Sequence, residues 1–216
     1  MIAETARRNM VDCQLRTNRV TDEAVLAAFE SVPRERFVPA GRRAVAYVDD
    51  DIEIAPGRFL MEPMVLARLV QEAMIGTNDV AMVIGCSVGY SAAIVSRVAG
   101  TVVAIEQDPD LAARANNLLR EFGADNVAVF QALHAEGYAG QAPYDAILID
   151  GAVDHVPATL FDQLGEGGRL VAVRRAGPVG EAILFLKVGG VISERTLFDA
   201  AIPVLPGFER RPEFAF

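Results

Sequence analysis

Val80-Ala-Met-Val-Ile-Gly-Cys-Ser-Val-Gly-Tyr90, followed by Val102-Val-Ala-Ile-Glu106, decides the fold of this chain. An apolar run enters a glycine-punctuated turn, small residues suited to a helix follow, and a second apolar run closes on a carboxylate. That is the order of a β-turn-α-β unit, in which backbone N–H groups of the turn meet a ligand and an acid about 20 residues on holds a ribose. Gly85 and Gly89 stand where a side chain would block the approach. No third glycine falls in the G-x-G-x-x-G register, so the turn suits a ligand without a pyrophosphate. A nicotinamide-dependent enzyme is therefore the weakest nucleotide-site reading.

Outward from this unit, apolar runs predict strands at 80–84, 101–105, 126–130, 144–149 and 168–173, with helices at 90–98, 109–122 and 157–164. Strands alternating with helices argue a parallel, doubly wound α/β sheet. The end departs from alternation: Ala182-Ile-Leu-Phe-Leu-Lys-Val188, Gly189-Gly190 and an apolar run from Thr196 to Pro203 read as a hairpin. One terminal strand then runs antiparallel to the rest. Upstream, a weakly amphipathic helix is expected over 5–15, and a second begins at Thr21 with Ala24, Val25, Ala28 and Phe29 as its stripe. A third starts at Pro63, with Val65, Leu66, Leu69, Val70 and Ala73 on one face. We divide the chain into a helical, substrate-side segment, 1–76, and a core, 77–216, together forming one domain.

The chemistry-bearing residues gather at the carboxyl ends of the predicted strands, where open α/β sheets bind ligands. Glu106 closes its strand and can accept both hydroxyls of a ribose. Glu136, with Gly137, follows the third strand; it reads equally as a contact for a purine amine and as a plain loop glutamate. Asp150 ends the fourth strand and is a candidate base or partner for a ligand ammonium. His134 stays ambiguous, and His155 reads as a loop bystander rather than an acid–base group. Cys86 has no neighbouring base in the sequence that would mark it as a nucleophile.

The totals narrow the classes. Hydrophobic residues make up 52% of 216 residues, enough for a sheet covered on both faces. The net charge of −9 argues against nucleic acid or an anionic membrane as main partner. Two distant cysteines give neither a disulfide framework nor metal-ligand spacing, so no metal is expected. The uncharged stretch 80–96 is interrupted by Gly85, Ser87 and Gly89 and reads as strand-turn-helix rather than a membrane span. With no apolar leader at the start, a cytoplasmic location is expected. The closing 208–216, with Phe214 and Phe216, is expected to pack on the sheet edge or on a partner.

Several further stretches carry a resemblance: Arg8-Asn-Met-Val-Asp-Cys-Gln-Leu15, Asp22-Glu-Ala-Val-Leu26, Val32-Pro-Arg-Glu-Arg-Phe-Val38, Ala46-Tyr47, Pro143-Tyr-Asp-Ala-Ile147 and Gln163-Leu-Gly-Glu-Gly-Gly-Arg-Leu-Val171. With Gly89-Tyr90 and Ile105-Glu106, they make the chain resemble the protein-L-isoaspartate O-methyltransferases over nearly its whole length. The resemblance implies a class I, Rossmann-like fold with a mostly parallel seven-stranded sheet and an antiparallel terminal hairpin strand. It implies S-adenosylmethionine as cofactor, carboxyl O-methylation of isoaspartyl residues in protein repair, and a protein or peptide substrate, with a small-molecule acceptor as a further possibility. By resemblance, Gly85, Cys86, Ser87, Gly89 and Tyr90 line the methionine moiety, Glu106 the ribose, and Glu136 and Gly137 the adenine, with Gln107 as a further cofactor-binding residue.

The departures from the family pattern are specific. An acid expected before the Ile-Gly of the turn is Val83, and the central turn glycine is Ser87. Asp150 is the candidate to take over the cofactor's ammonium. The family's hydroxyl-bearing Gly-Gln-Thr-Ile-Ser-x-Pro segment reads Gly57-Arg-Phe-Leu-Met-Glu-Pro63. Phe59 and Met61 remove the polar groups that orient a carboxylate for in-line attack, while Arg58 offers an anion contact from a shifted position and Pro63 is kept. Loss or change of the isoaspartyl specificity is expected. The alternative is a non-catalytic descendant acting as a cofactor-binding or interaction module. The oligomeric state stays open.

Overall fold

The computed structural model describes residues 2–175, 177 and 179–210. Strands β1 (Ile52–Ala55) and β2 (Arg58–Leu60) form a small antiparallel pair. The main sheet holds β3 (Val80–Ile84), β4 (Thr101–Glu106), β5 (Val127–Gln131), β6 (Tyr144–Val153), β7 (Leu164–Arg174), β8 (Gly180–Val188) and β9 (Val191–Ala200), in the order β5-β4-β3-β6-β7-β8-β9. Strands β3 to β7 are parallel, and β8 runs antiparallel to both of its neighbours. The expected Rossmann-like sheet with a reversed strand in a terminal hairpin is thus present, turning at Gly189 and Gly190, both with positive φ.

Side chains alternate across this sheet, so each strand feeds two cores. Ala81 and Val83 face one side with Ala104, Leu148 and Val171; Met82 and Ile84 face the other with Ile105, Ile147, Ile149 and Leu170. Helices α1 (Ile2–Met10), α2 (Glu23–Ser31), α3 (Pro63–Glu72), α4 (Tyr90–Val95) and α5 (Pro109–Phe122) supply the first side, and Met10, Leu15 and Phe29 join the same cluster as Val83 and Tyr90. Among the described residues the second side has the five-residue α6 (Ala158–Asp162) as its α-helix, and part of its cover comes from Leu205 and Phe208. Phe208 is fully buried there, while Phe214 and Phe216 lie outside the described residues.

Local signals explain the element ends. The Asp22 carboxylate accepts from the Ala24 and Val25 amides, so α2 starts at Glu23. Its buried face is Val25, Leu26, Ala28 and Phe29; Ala24, expected in the stripe, is exposed because this cap rotates it to solvent. The first helix ends at Met10 and continues as a π-helical turn, Val11–Leu15. Asp108 caps α5 in the same way as Asp22, with Pro109 in the first turn and Gly123 closing the helix at φ 72°. Strand β6 runs past the expected 149 because a later segment pairs with it: Ala152 donates to the Pro203 carbonyl and accepts from the Leu205 amide.

Candidate functional site

The turn after β3 has the backbone the sequence demands. Gly85 and Gly89 take φ 76° and 97°, and Ser87 takes the left-handed φ of 54° although it is not glycine. Its amides, however, are committed within the chain. Gly85 and Cys86 both donate to the Ile105 carbonyl at 2.9 and 3.1 Å, Gly89 donates to the Cys86 carbonyl, and Ser87 donates to Glu106 Oε2 at 2.9 Å. Burial pushes the Cys86 thiol up, with the charges of Glu106 and Asp150 acting the same way, so it is no nucleophile.

Glu106 is wholly buried, and its ligand-facing role is taken up by the protein itself. Oε1 accepts from Arg58 Nη1 at 2.5 Å and from the Asp108 amide at 3.0 Å; Oε2 accepts from Arg58 Nη2 at 2.7 Å and from Ser87. These donors fill the acceptor sites of a carboxylate, so hydroxyls of a ribose find none free in this arrangement. Burial pushes the Glu106 pKa up, but His134 beside it and the bidentate hydrogen bonds and charge of Arg58 outweigh that and hold it at about 2. Arg58, expected as a substrate-side anion contact, is 6% exposed and points inward, with Nη2 also 3.2 Å from the Gly85 carbonyl. The physical reason is the tight β1–β2 hairpin, which aims Arg58 at the buried Glu106 carboxylate, where a bidentate pair neutralises it.

His134 is the second partner of this centre. Its Nδ1 donates to the Pro206 carbonyl at 2.8 Å, and Nε2 lies 3.2 Å from the Gln107 amide and 3.3 Å from Glu106 Oε1. Pro206 belongs to the segment 201–208, which runs from β9 back over the turn. Leu205 sits directly on the glycines: a Cβ on Gly85 would lie 2.6 Å from its Cδ2, and one on Gly151 2.9 Å from its Cβ. The space bounded by Arg58, Phe59, Met61, Asp150, Gly151 and Leu205 is about 10 Å³, room for a single water at most.

Asp150 stands on the floor of this space. Burial raises its pKa to about 6, against the Ser91 hydroxyl, which lies close by but outside hydrogen-bond geometry, and the charges of Arg58 and Arg34. Its Oδ1 has no hydrogen-bond partner among the described residues, and neither have the hydroxyls of Ser87, Tyr90 and Ser91. Phe59 is half-buried at the rim, Met61 is buried, and Pro63 opens α3. On the other flank Glu136 is exposed, and a Cβ on Gly137 would lie 2.7 Å from Gln163, which bonds the Glu136 carbonyl and the Tyr138 amide. His155 is exposed in its loop, away from these groups.

Two participants, Arg34 and Leu205, were not read from the sequence, and a third, His134, was left ambiguous. Arg34 lies inside Val32-Pro-Arg-Glu-Arg-Phe-Val38; it is fully buried, bonds the carbonyls of Ala46 and Met61, and its carbon Cζ is 4.9 Å from the Tyr90 ring centre. An arginine between apolar residues and two prolines was the available signal. His134 carried none beyond its residue type. Leu205 had a faint one, the proline-bounded run Ile202-Pro-Val-Leu-Pro206.

Residues 6–185 match the sequence pattern of the family Protein-L-isoaspartate(D-aspartate) O-methyltransferase (PCMT). The chain belongs to this family. A Koribacter versatilis protein-L-isoaspartate O-methyltransferase is 40% identical over 193 residues, 89% of this chain and 86% of that one. One from Methanoculleus marisnigri is 39% identical over 174 residues, 81% of this chain and 77% of its own. The PCMT fold is matched by a solved protein-L-isoaspartate O-methyltransferase at TM-score 0.82 and 24% identity, covering 94% of this chain and 67% of that one. The PCMT of Plasmodium falciparum in complex with S-adenosyl-L-homocysteine superposes at TM-score 0.77 and 18% identity, covering 95% of this chain and 98% of its own. S-adenosylmethionine is the cofactor that membership of the PCMT family brings, and its cleft is closed in this arrangement. The unpartnered Asp150 and serine oxygens suit its polar methionine end, but Arg58 holds the ribose carboxylate and Leu205 covers the glycine turn.

Proposed function

We propose that this chain is a PCMT-type, S-adenosylmethionine-dependent methyltransferase directed at a carboxyl group of a protein or peptide. The family match over residues 6–185 carries this proposal. Protein repair, a cytoplasmic location and independence from nucleic acid belong to it. Among the described residues no helix is long and apolar enough to cross a membrane. The substrate rim, Phe59 and Met61 in place of hydroxyls, supports a specificity moved away from the isoaspartyl carboxylate, because an apolar rim leaves that charge without hydrogen-bond donors. Transfer of labelled methyl from S-adenosylmethionine to an isoaspartyl peptide, to its aspartyl counterpart and to unfractionated protein tests the activity and its specificity together. Methylation of the isoaspartyl peptide alone refutes the altered specificity; no transfer to any of the three refutes the activity.

A second reading, a non-catalytic descendant acting through its fold, is favoured by one observation: Glu106 already has its full set of donors, led by the bidentate Arg58. It requires that the full-length chain turn over no acceptor at saturating cofactor.

A further inference from the structure

The cleft that the family uses for a nucleotide-type ligand is not a loosely packed space here. Its parts are matched one by one. At the ribose position, Arg58 presents two N–H groups to the two oxygens of Glu106, in the place two hydroxyls of a sugar would take. Over the glycine turn, the Leu205 side chain lies against Gly85 and Gly151, where only glycine leaves room for it. The segment bearing Leu205 is fastened along its length: Ala152 donates to Pro203, Leu205 to Ala152, Asp154 to Phe208, and His134 to Pro206. Val204 forms a parallel bridge with Ala152, so the segment extends the carboxyl end of β6 as a strand-like cover. Leu205 and Phe208 are 4% and 0% exposed within the second core.

Beneath this cover lie polar groups that a leucine does not satisfy. Asp150 Oδ1 and the hydroxyls of Ser87 and Ser91 are buried without partners, a costly arrangement for an interior and an ordinary one for the floor of a polar-ligand site. The space left, about 10 Å³, compares with roughly 300 Å³ or more for a small-molecule site. The covering segment 201–208 lies beyond the residues 6–185 that carry the family match.

From these contacts we infer that the chain fills its own cofactor cleft, with Arg58 standing in for the ribose hydroxyls and Leu205 plugging the glycine turn, so that an S-adenosyl ligand enters only when residues 201–208 lift away and Arg58 swings off Glu106. The inference takes the identity of the ligand from the methyltransferase proposal and the plug from the contacts alone. A ligand that binds only the open form has its apparent affinity reduced by the fraction of chains that are open.

The test uses the full-length chain, titrated calorimetrically with S-adenosylhomocysteine, and amide hydrogen exchange with and without that compound. Leu205→Ala is expected to bind at least about tenfold more tightly than wild type, since it weakens the closed form and leaves the polar floor untouched. Arg58→Gln is expected to shift binding in the same direction. In the ligand-free wild type, the Leu205 and Ala152 amides exchange slowly, and saturating ligand speeds them. Equal affinities for wild type and Leu205→Ala, with unchanged protection, overturn the plug and leave the methyltransferase proposal standing. Fast exchange of the Leu205 and Phe208 amides in the free chain overturns the plug by itself, even if Arg58→Gln does not fold. Absence of binding by wild type and by both variants at millimolar ligand overturns the plug and the methyltransferase proposal together.

Discussion

Replacing Arg58 by Met isolates the buried ion pair at the centre of the cleft. Glu106 has an ordinary pKa of 4.5 and sits at about 2 in the folded chain, burial pushing up and His134 and Arg58 pulling down more strongly. A carboxylate held low stabilises the fold fully above the unfolded value, and the contribution is lost as pH falls from about 4.5 through about 2. By linkage the gap is worth about 3 kcal/mol at neutral pH. Arg58→Met removes the bidentate partner but leaves the carboxylate sealed, so a loss of about 3–5 kcal/mol at pH 7 is expected. The pH dependence also changes sign. Without its counter-charge Glu106 has its pKa raised, and acid now relieves the buried charge, so the deficit against wild type narrows between pH 7 and pH 5. Adding Glu106→Gln restores more than half of the loss, because the stranded charge is gone. Urea unfolding of wild type, Arg58→Met, Glu106→Gln and the double variant at both pH values measures all of this. A loss under about 1 kcal/mol, or parallel pH profiles for wild type and Arg58→Met, refutes the buried pair as the organiser of the cleft.

Glu62 is raised to about 7 by burial, then by Asp51, Asp49 and Asp50; its cost is present above pH 7 and relieved as pH falls toward 4.5. Glu62→Gln should therefore stabilise by about 1 kcal/mol at pH 8, discounted for partial exposure, with the gain gone by pH 5 in denaturant titrations. Gly85→Ala places a methyl 2.6 Å from Leu205 at φ 76°, and should cost about 2–4 kcal/mol from backbone strain plus overpacking. Gly167→Ala, at φ 74° with nothing within 4 Å, should cost only about 1–2 kcal/mol; equal thermal shifts for the two contradict a seated Leu205. His134→Ala strands the Pro206 carbonyl and the Gln107 amide, and should cost about 2–4 kcal/mol while raising exchange at Leu205 and Phe208. Unaltered exchange there would falsify the role of His134 as the fastener of the tail.

The sheet was legible because its information is periodic and local. Val80 to Ile84, Thr101 to Glu106 and the Gly189-Gly190 hairpin each announce themselves within a few residues, and the caps Asp22 and Asp108 sit where sequence rules look for them. The positions of Gly85, Gly89, Glu106 and Asp150 at the carboxyl edge were legible for the same reason. What those residues touch was not. Arg58 meets Glu106 across 48 residues, and His134 meets Pro206 across 72. Neither pairing leaves a local trace, since only the closed sheet brings them together. Leu205 lies beyond the apolar run read from Thr196 to Pro203, and an apolar residue between prolines has no chemistry of its own; its position over Gly85 gives it one.

A family member that keeps its ligand in this cleft draws stability from the ligand, and that share rises and falls with the free concentration. Here the filler is part of the polypeptide, tethered a few residues beyond β9, and its local concentration is fixed by the chain whatever the surroundings hold. Folding is thereby uncoupled from metabolite supply. Any ligand must compete with a covalently attached rival that can be neither diluted nor dialysed away.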